Sequence, residues 1–405
     1  MLKTFKRAAL AATVLAAAAG TAAAGEIKVG SVAGVTGPIA ELVGPIVAGR
    51  NLAAKHVNDQ GGLLKGDTLS LVLADSQCDP KAGVDAGGKV VNVEQVVAIV
   101  GASCSGATNG MVQSVTIPAG VVNVSDSATA PSITDLKDND LVFRVAASDA
   151  YQGKALAKLA WDKGYRKMAM TFANDDYNAG LAGVFEVSFK ALGGEITANQ
   201  MHEPKKASYR SEVSTLSGKG AEGLAIFAYY GGSGITIIRN SIENGLFSKF
   251  LAADGMFDQS VIDQIGADTL KDNILITQAA SDPENKSYQM FAEPYKATGN
   301  SPEAPYAAHG YDAVFMIAMA IEKAGSADRA KIKDALRSIA SAPGEVIRPG
   351  EWAKAKKLIG EGKDVNYEGA VGNNDFDDKG DVTGVFSVNL VGDDGKWTRD
   401  PNLLR

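Results

Sequence analysis

Short apolar runs of strand length alternate with longer segments of helical period along most of this 405-residue chain. Such alternation predicts parallel sheets joined by crossover helices. In the first block, strands are predicted at 27–32, 69–74, 96–100, 121–124 and 141–145, and helices at 42–58, 81–93 and from about 108. In the second block, helices are predicted at 151–163, 180–192, 209–216 and 235–244, and strands at 168–172, 195–197, 224–229 and 250–253. Because the same order occurs twice, the sequence predicts an α/β fold of two similar lobes with a cleft between them.

The last third of the chain has a different pattern. A strand is predicted at 274–278, helices at 288–298, 307–323 and 328–339, and a final strand at 385–390. The helix around 313–319 is apolar nearly all round, so we expect it to be buried against a sheet, with its methionines as core residues. Residues 343–384 are rich in Gly, Lys and Asp and contain no long periodic segment. We therefore expect mainly loop there.

The first 24 residues have the pattern of an export signal. Lys3, Lys6 and Arg7 precede an apolar run at 8–19, which is shorter than the roughly 20 residues that span a bilayer. Small residues at 22–24 match the pattern that signal peptidase requires, so we expect cleavage near Ala24. A lipoprotein would need Cys where Gly25 stands. We therefore expect the mature chain to be a soluble, periplasmic protein.

The net charge excludes one class of partner. Loss of the signal removes three positive charges and changes the formal net charge from −7 to −10. Nucleic acids and anionic lipid surfaces are bound through clustered Lys and Arg, so we expect this acidic chain not to bind nucleic acid. The 381 residues that remain exceed the usual size of one domain, which agrees with two lobes. We expect the protein to be a monomer.

Two loops of the first block have the composition of ligand-binding loops. In open α/β sheets, ligands bind beyond the carboxyl ends of the strands, where loops lead into helices. The loops at 101–109 and 125–131 both follow predicted strands and are rich in small residues and hydroxyls. Ser105, Ser127 and Thr129 are candidates to hold a ligand carboxylate. Helix capping by Ser105 and Thr108, or ordinary turn formation in the second loop, would explain the same residues.

Two loops of the second block place carboxylates after predicted strands. They lie at 174–177 and at 253–255. A single carboxylate at a strand end, such as Asp254, could pair with an ammonium group in the cleft. Aspartate is also common in ordinary loops.

The sequence lacks the patterns of known catalytic sites. The GxGxxG dinucleotide pattern and the P-loop pattern are both absent. A nucleophile elbow would need Gly where Ser105 stands. His56, His202 and His309 lack the spacing of metal ligands. We therefore predict no enzyme activity, no cofactor and no metal.

The chain has two cysteines, Cys78 and Cys104, and each lies at the end of a predicted strand. Disulfides persist in an oxidising compartment, so we expect the two to pair. Two free thiols are the alternative. A bridge between these neighbouring loops would brace the loop at 101–108.

Several segments together resemble the periplasmic leucine/isoleucine/valine-binding proteins, the solute receptors of branched-chain amino acid ABC transporters. The resemblance runs through nearly all of the mature chain and rests on 27–30 (IKVG), 36–38 (TGP), 58–62 (NDQGG), 78–81 (CDPK), 104–105 (CS), 127–131 (SATAP) and 176–177 (DY). The segments are specific only together and in this order. The resemblance implies the fold of a type I periplasmic binding protein, in which two Rossmann-like lobes are joined by a three-strand hinge and close over the ligand.

The resemblance also implies lobe boundaries and site residues. Lobe one would hold 26–145 and 280–342, and lobe two 146–279 and 373–405, with 343–372 as a loop-rich insertion. A disulfide would join Cys78 to Cys104. The ligand's α-carboxylate and ammonium would be held by Ser105, Thr129 and the backbone of Ser127 and Ala128. Tyr177 would close from lobe two, with Tyr230 nearby. Asp254 stands where the family usually has Glu, and would pair with the ammonium.

The sequence departs from the family at the side-chain end of the predicted pocket. Leu42, Val43 and Ser233 stand in regions where branched-chain binders place aromatic residues. The resemblance thus implies a receptor that captures a small aliphatic amino acid, by family default a branched-chain one, and delivers it to a membrane permease. A receptor for amides, urea or another small organic solute, a sensory module and an exported hydrolase are the alternatives.

Overall fold

The computed structural model describes residues 25–404, so the predicted export signal at 1–24 lies outside the described residues. The first block contains β1 (Glu26–Ala33), α1 (Ala40–Asp59), β2 (Thr68–Asp75), α2 (Pro80–Gly88), β3 (Ala98–Val100), α3 (Ser105–Met111), β4 (Val122–Ser125), α4 (Pro131–Thr134) and β5 (Val142–Arg144). The second contains α5 (Asp149–Asp162), β6 (Lys167–Ala173), α6 (Asp176–Ala191), β7 (Glu195–His202), α7 (Arg210–Ser217), β8 (Gly223–Phe227), α8 (Ile235–Glu243), β9 (Phe250–Ala253), α9 (Gln259–Ile265), α10 (Ala267–Leu270) and β10 (Ile274–Ala280).

The remaining third contains both helices and strands. Its elements are α11 (Lys286–Lys296), α12 (Ala307–Ala324), α13 (Arg329–Leu336), β11 (Glu345–Ile347), α14 (Trp352–Gly360), β12 (Val365–Gly369), β13 (Gly372–Asn373), β14 (Val385–Val391) and β15 (Trp397–Arg399). Between residues 25 and 404, no helix is long and apolar enough to cross a membrane.

The first sheet is fully parallel, with the strand order β2-β1-β3-β4-β5. Its inner strands are apolar on both sides because helices cover both faces. Val100 packs into the core on one face, whereas its neighbour Ile99 packs into the core on the other. The helix α12 is buried against the first of these cores with its methionines Met316 and Met319, as the sequence predicted.

The second sheet has the strand order β15-β14-β10-β9-β8-β6-β7. Five neighbouring strands are parallel, namely β6, β7, β8, β9 and β10, and β14 and β15 are added antiparallel at one edge. Ile226 and Phe227 again pack into different cores on the two faces. The chain therefore builds two doubly wound sheets.

Between residues 25 and 404, the chain passes from one sheet to the other three times. The passages lie between β5 and α5, between β10 and α11, and between residue 382 and β14. After the second passage, Phe291 of α11 packs on the first sheet, and after the third, Val388 of β14 packs on the second. Both doubly wound units are thus built from separated stretches of sequence.

One strand is longer than the sequence predicts. β7 extends to His202, whereas strand character was predicted only at 195–197. β7 is the edge strand of its sheet, and most of its side chains are exposed or only partly buried. Polar residues such as Asn199 and Gln200 therefore occupy strand positions, and they interrupt the apolar run from which a strand would be predicted. The sequence prediction also missed α9 and α10.

The prediction of mainly loop at 343–384 missed four short elements. This stretch contains β11, α14, β12 and β13, and the indole Nε1 of the fully buried Trp352 donates to the carbonyl of Gly62 at 3.1 Å. Phe376 and Val382 join the core of the first sheet, although 373–405 was assigned to lobe two. The elements are only two to nine residues long. Periodicity cannot reveal elements this short, because tertiary packing stabilises them.

Asp312, on α12, anchors this stretch to the first unit. Its carboxylate is completely buried and accepts hydrogen bonds from Tyr367 Oη (2.7 Å), the amides of Ala370 and Val371 (both 2.9 Å) and Asn374 Nδ2 (3.4 Å). Two of these donors are backbone groups of the turn between β12 and β13. One carboxylate therefore satisfies a turn that would otherwise bury unpaired N–H groups.

The disulfide predicted from the sequence is present. Cys78 is bonded to Cys104 across 26 residues of sequence, and joins the loop after β2 to the loop after β3. Cys104 lies directly before α3. The bridge thus braces the loop that carries Ser105.

Candidate functional site

Loops from both sheets meet around a small cavity. Ser103 and Ser105 follow β3, Ser127 follows β4, and Asp254 follows β9 across the cleft. The lining residues are Ile39, Leu42, Ser103, Cys104, Ser105, Ser127, Tyr177, Tyr229, Asp254, Gly255 and Tyr306. The cavity measures about 30 Å³, which is room for about two water molecules. Four of the predicted ligand-binding residues line this cavity.

Ser105 is the first residue of α3, but its side chain does not cap that helix. Its Oγ accepts hydrogen bonds from the backbone amides of Thr129 (3.2 Å) and Ala130 (3.1 Å). Thr108 Oγ1 accepts from the amide of Ala102, so it is not a cap either. The capping interpretation is therefore wrong. Because the Ser105 oxygen already accepts two N–H groups, its own hydroxyl proton is left to donate into the cavity.

The second predicted loop contributes one lining residue. Ser127 lines the cavity, whereas Ala128 and Thr129 are buried beneath it. The Thr129 hydroxyl donates to Asp149 Oδ2 at 3.0 Å. The side chains of Ala128 and Thr129 thus support the wall of the cavity.

Asp254 is the one carboxylate that lines the cavity. It is buried and accepts hydrogen bonds from Gln152 Nε2 (2.6 Å), Tyr177 Oη (3.2 Å) and Tyr306 Oη (3.0 Å). All three donors are neutral. Burial raises the pKa of the Asp254 carboxyl above its usual range, although these hydrogen bonds oppose the rise.

A second buried carboxylate, Asp149, lies close to the cavity and was not predicted. Burial raises its pKa well above the usual range, and the negative charge of Asp254 adds to that rise. One of its oxygens, Oδ1, has no hydrogen-bond partner among the described residues. Ser148 and Asp149 follow β5, so the rule that directs attention to strand ends could have found them. The cavity region holds two buried carboxyl groups, and none of the residues that line the cavity is basic.

Three tyrosines close the cavity. Tyr177 and Tyr229 stack with ring centroids 5.3 Å apart, and Tyr306 approaches from the start of α12. Tyr230, which was predicted to bind the ligand, instead packs into the core of the second sheet. Tyr229 has an extended backbone and lines the cavity, whereas Tyr230 begins a helical turn at Tyr230–Gly234 that turns its side chain into the core. Tyr306 has a left-handed backbone (φ 59°), and no pattern in the sequence pointed to it.

The three residues at which the sequence departs from the family lie in three different places. Leu42 lines the cavity, but Val43 packs into the core of the first unit. Ser233 lines a larger space of about 300 Å³ at the mouth of the cleft, where its Oγ lies 2.7 Å from Nε2 of His202. Tyr229 and Cys104 border both spaces. The two spaces are therefore neighbours that share part of their walls.

Comparison with known proteins agrees with this architecture. Residues 49–392 match the family model described as the receptor family ligand binding region. The leucine-, isoleucine-, valine-, threonine-, and alanine-binding protein of Pseudomonas aeruginosa is 30% identical over 324 residues, covering 78% of this chain and 83% of the relative. The leucine-specific-binding protein of Salmonella typhimurium is 26% identical over 355 residues, covering 87% of this chain and 93% of the relative.

The fold also matches a solved structure. The leucine binding protein of Thermotoga maritima superimposes with a TM-score of 0.79 at 24% identity, covering 94% of this chain and 99% of the other. The match supports the fold of type I periplasmic binding proteins, with two Rossmann-like lobes and a three-strand hinge. Because the family model matches most of the length of this chain, the chain is a solute-binding protein and belongs to the receptor ligand-binding family of the leucine/isoleucine/valine-binding proteins.

Proposed function

We propose that this chain captures a small aliphatic α-amino acid in its zwitterionic form and delivers it to the membrane permease of an ABC transporter. The observation that carries the proposal is the buried carboxylate of Asp254, which has three neutral donors and no cation among the lining residues. A buried charge without a counter-ion is costly, so the site favours a ligand that brings a positive group.

The opposite wall suits the other end of a zwitterion. Ser105 has a hydroxyl proton free to donate, and so has Ser103, whose oxygen accepts from Arg50 Nη2. Hydrogen bonds to a carboxylate contribute about 1.5 to 3 kcal/mol each. An α-amino acid placed between the two walls would pair its ammonium with Asp254 and its carboxylate with these serines.

Ligand capture requires movement of the two lobes. The cavity of about 30 Å³ is too small for an amino acid, so the lobes must move apart to admit it. Ser105 belongs to lobe one and Asp254 to lobe two, so both contact the ligand only when the lobes close. We propose that lobe one holds 26–145 and 280–382 and that lobe two holds 146–279 and 383–405, because 343–382 pack on the first sheet.

Related proteins support a role in transport. The relative from Pseudomonas aeruginosa is named for binding leucine, isoleucine, valine, threonine and alanine. In the proposed role the protein works as an exported periplasmic monomer, carries out no reaction, and needs no cofactor or nucleic acid. Its macromolecular partner is the permease.

A thermal-shift screen tests the choice of ligand. L-alanine, L-valine, L-leucine and L-isoleucine are compared with urea, acetamide and the 2-hydroxy acid analogue of leucine. An amino acid at 100 times its dissociation constant should add about 2.7 kcal/mol to the free energy of unfolding. We expect a response to at least one amino acid and none to the hydroxy acid, which lacks the ammonium. A response to urea or acetamide alone would overturn the proposal.

The affinity for the amino acid should depend on pH through Asp254. The ammonium pairs with the ionised carboxylate, and burial raises the pKa of that group above its usual range. As the pH is lowered from 7, the affinity should therefore begin to fall at a higher pH than it would if the partner of the ammonium were an exposed aspartate. Calorimetric titration between pH 7.5 and 4 measures this. An affinity that stays constant over that range would contradict the pairing.

A further inference from the structure

A fully buried ion pair lies beneath the serines of the lobe-one wall. Arg50, on α1, donates through Nε to Asp126 Oδ2 at 2.7 Å, and its Nη2 lies 2.7 Å from the same oxygen. Its Nη1 donates to Ser31 Oγ (2.9 Å) and the carbonyl of Val32 (3.0 Å). Both members of the pair are completely buried. The guanidinium is therefore held rigidly in the floor of the site.

This pair is bonded to two residues that line the cavity. Arg50 Nη2 donates to Ser103 Oγ at 3.3 Å. The Ser127 hydroxyl is shared between Asp126 Oδ1 and the carbonyl of Ser103, both at 3.2 Å. Ser103 has a left-handed backbone (φ 70°), which a residue with a side chain adopts only when its surroundings hold it there. Both loops of the wall are thus fastened to one guanidinium.

Stability alone does not explain a pair of this kind. A buried ion pair can often be replaced by apolar side chains of similar volume without loss of stability, because its desolvation offsets its attraction. An apolar pair would not fix the directions of the Ser103 and Ser127 hydroxyls. The value of the pair lies in the orientation that it imposes.

We propose that Arg50 and Asp126 are positioning residues that orient Ser103 toward the carboxylate of the ligand. Arg50 donates to the Ser103 oxygen, which leaves the Ser103 proton for the carboxylate, and Asp126 holds the guanidinium in place. The inference rests on the proposed function, since it assumes that this wall receives a carboxylate. It assigns the carboxylate specificity of the site to a pair that does not itself line the cavity.

The test measures discrimination between a carboxylate and a carboxamide. Dissociation constants of L-leucine and L-alanine are compared with those of L-leucinamide and L-alaninamide by calorimetry, far below the unfolding temperature. The double variant Arg50→Met with Asp126→Leu replaces the pair by apolar residues, and Arg50→Lys keeps the charge without the planar fork. Asp312→Asn is the matched control, because it disturbs a buried polar cluster outside the cavity.

We expect the preference for the acid over the amide to fall about tenfold in the double variant and several-fold in Arg50→Lys, while Asp312→Asn keeps the wild-type preference. An unchanged preference in Arg50→Lys or in a folded double variant would overturn the positioning role. Failure of the wild-type protein to bind either amino acid would instead overturn the proposed ligand, so the two failures are distinguishable.

Discussion

Asp254→Asn is expected to lower the affinity for the amino acid roughly 100- to 1,000-fold, or about 3 to 4 kcal/mol, because it removes the proposed partner of the ammonium. The substitution preserves shape, and the amide oxygen still accepts from neighbouring donors such as Tyr306. Removing a buried charge with a raised pKa should leave the free energy of unfolding unchanged or higher. Calorimetry at pH 7 measures the affinity, and thermal unfolding without ligand measures the stability.

Asp258→Asn is the matched control for this experiment. Asp258 follows Asp254 closely and caps α9 through the amide of Ser260 at 2.8 Å. Asparagine caps helices as well as aspartate does, so the control removes the same charge from the same segment without breaking the cap. We expect wild-type affinity in the control. Equal affinities for the two variants would show that Asp254 does not contact the ammonium.

Asp312→Ala is expected to destabilise the protein by about 3 to 5 kcal/mol, since it leaves the buried amides of Ala370 and Val371 and the hydroxyl of Tyr367 without their acceptor. Urea denaturation measures the loss. Hydrogen exchange should become faster at 365–374 before other parts of the first unit, because these residues lose their anchor.

Asp364→Ala provides the control for stability. Asp364 directly precedes β12, and its exposed side chain pairs with Lys323 at the surface. An exposed pair contributes about 1 kcal/mol at most, so this variant should unfold close to the wild-type midpoint. If Asp312→Ala were no more destabilised than Asp364→Ala, the anchor role of Asp312 would be refuted.

Local patterns in the sequence determined the architecture. The strand β9 occupies the predicted residues 250–253, and the ends of β1 and β14 lie within one residue of prediction. Alternation of strands and helices could be read from neighbouring residues because a doubly wound sheet repeats one local unit. The disulfide was also predicted, since strand ends brought Cys78 and Cys104 to adjacent loops. The failure at 343–384 has the opposite cause, because its short elements depend on distant partners such as Asp312.

The candidate site was only partly accessible to sequence reasoning. The rule that ligands bind at strand ends, together with the family resemblance, directed attention to Ser105, Ser127 and Asp254, and the structure places all three on one cavity. The same reasoning chose Tyr230 where the structure has Tyr229, because the direction of a side chain at the end of a strand depends on how the loop leaves it.

Tyr306, Asp149 and Arg50 show what only the tertiary structure decided. Tyr306 is 52 residues from Asp254 along the chain, and Arg50 is 76 residues from Asp126, yet both pairs are hydrogen-bonded. Asp149 is buried near Asp254, which no composition could reveal. The sequence by itself determined the two lobes, the bridge and the strand ends, because these follow from local periodicity and family resemblance. The convergence of charge and hydroxyls in one cavity depends on long-range packing, which brings distant loops together only when both sheets have formed.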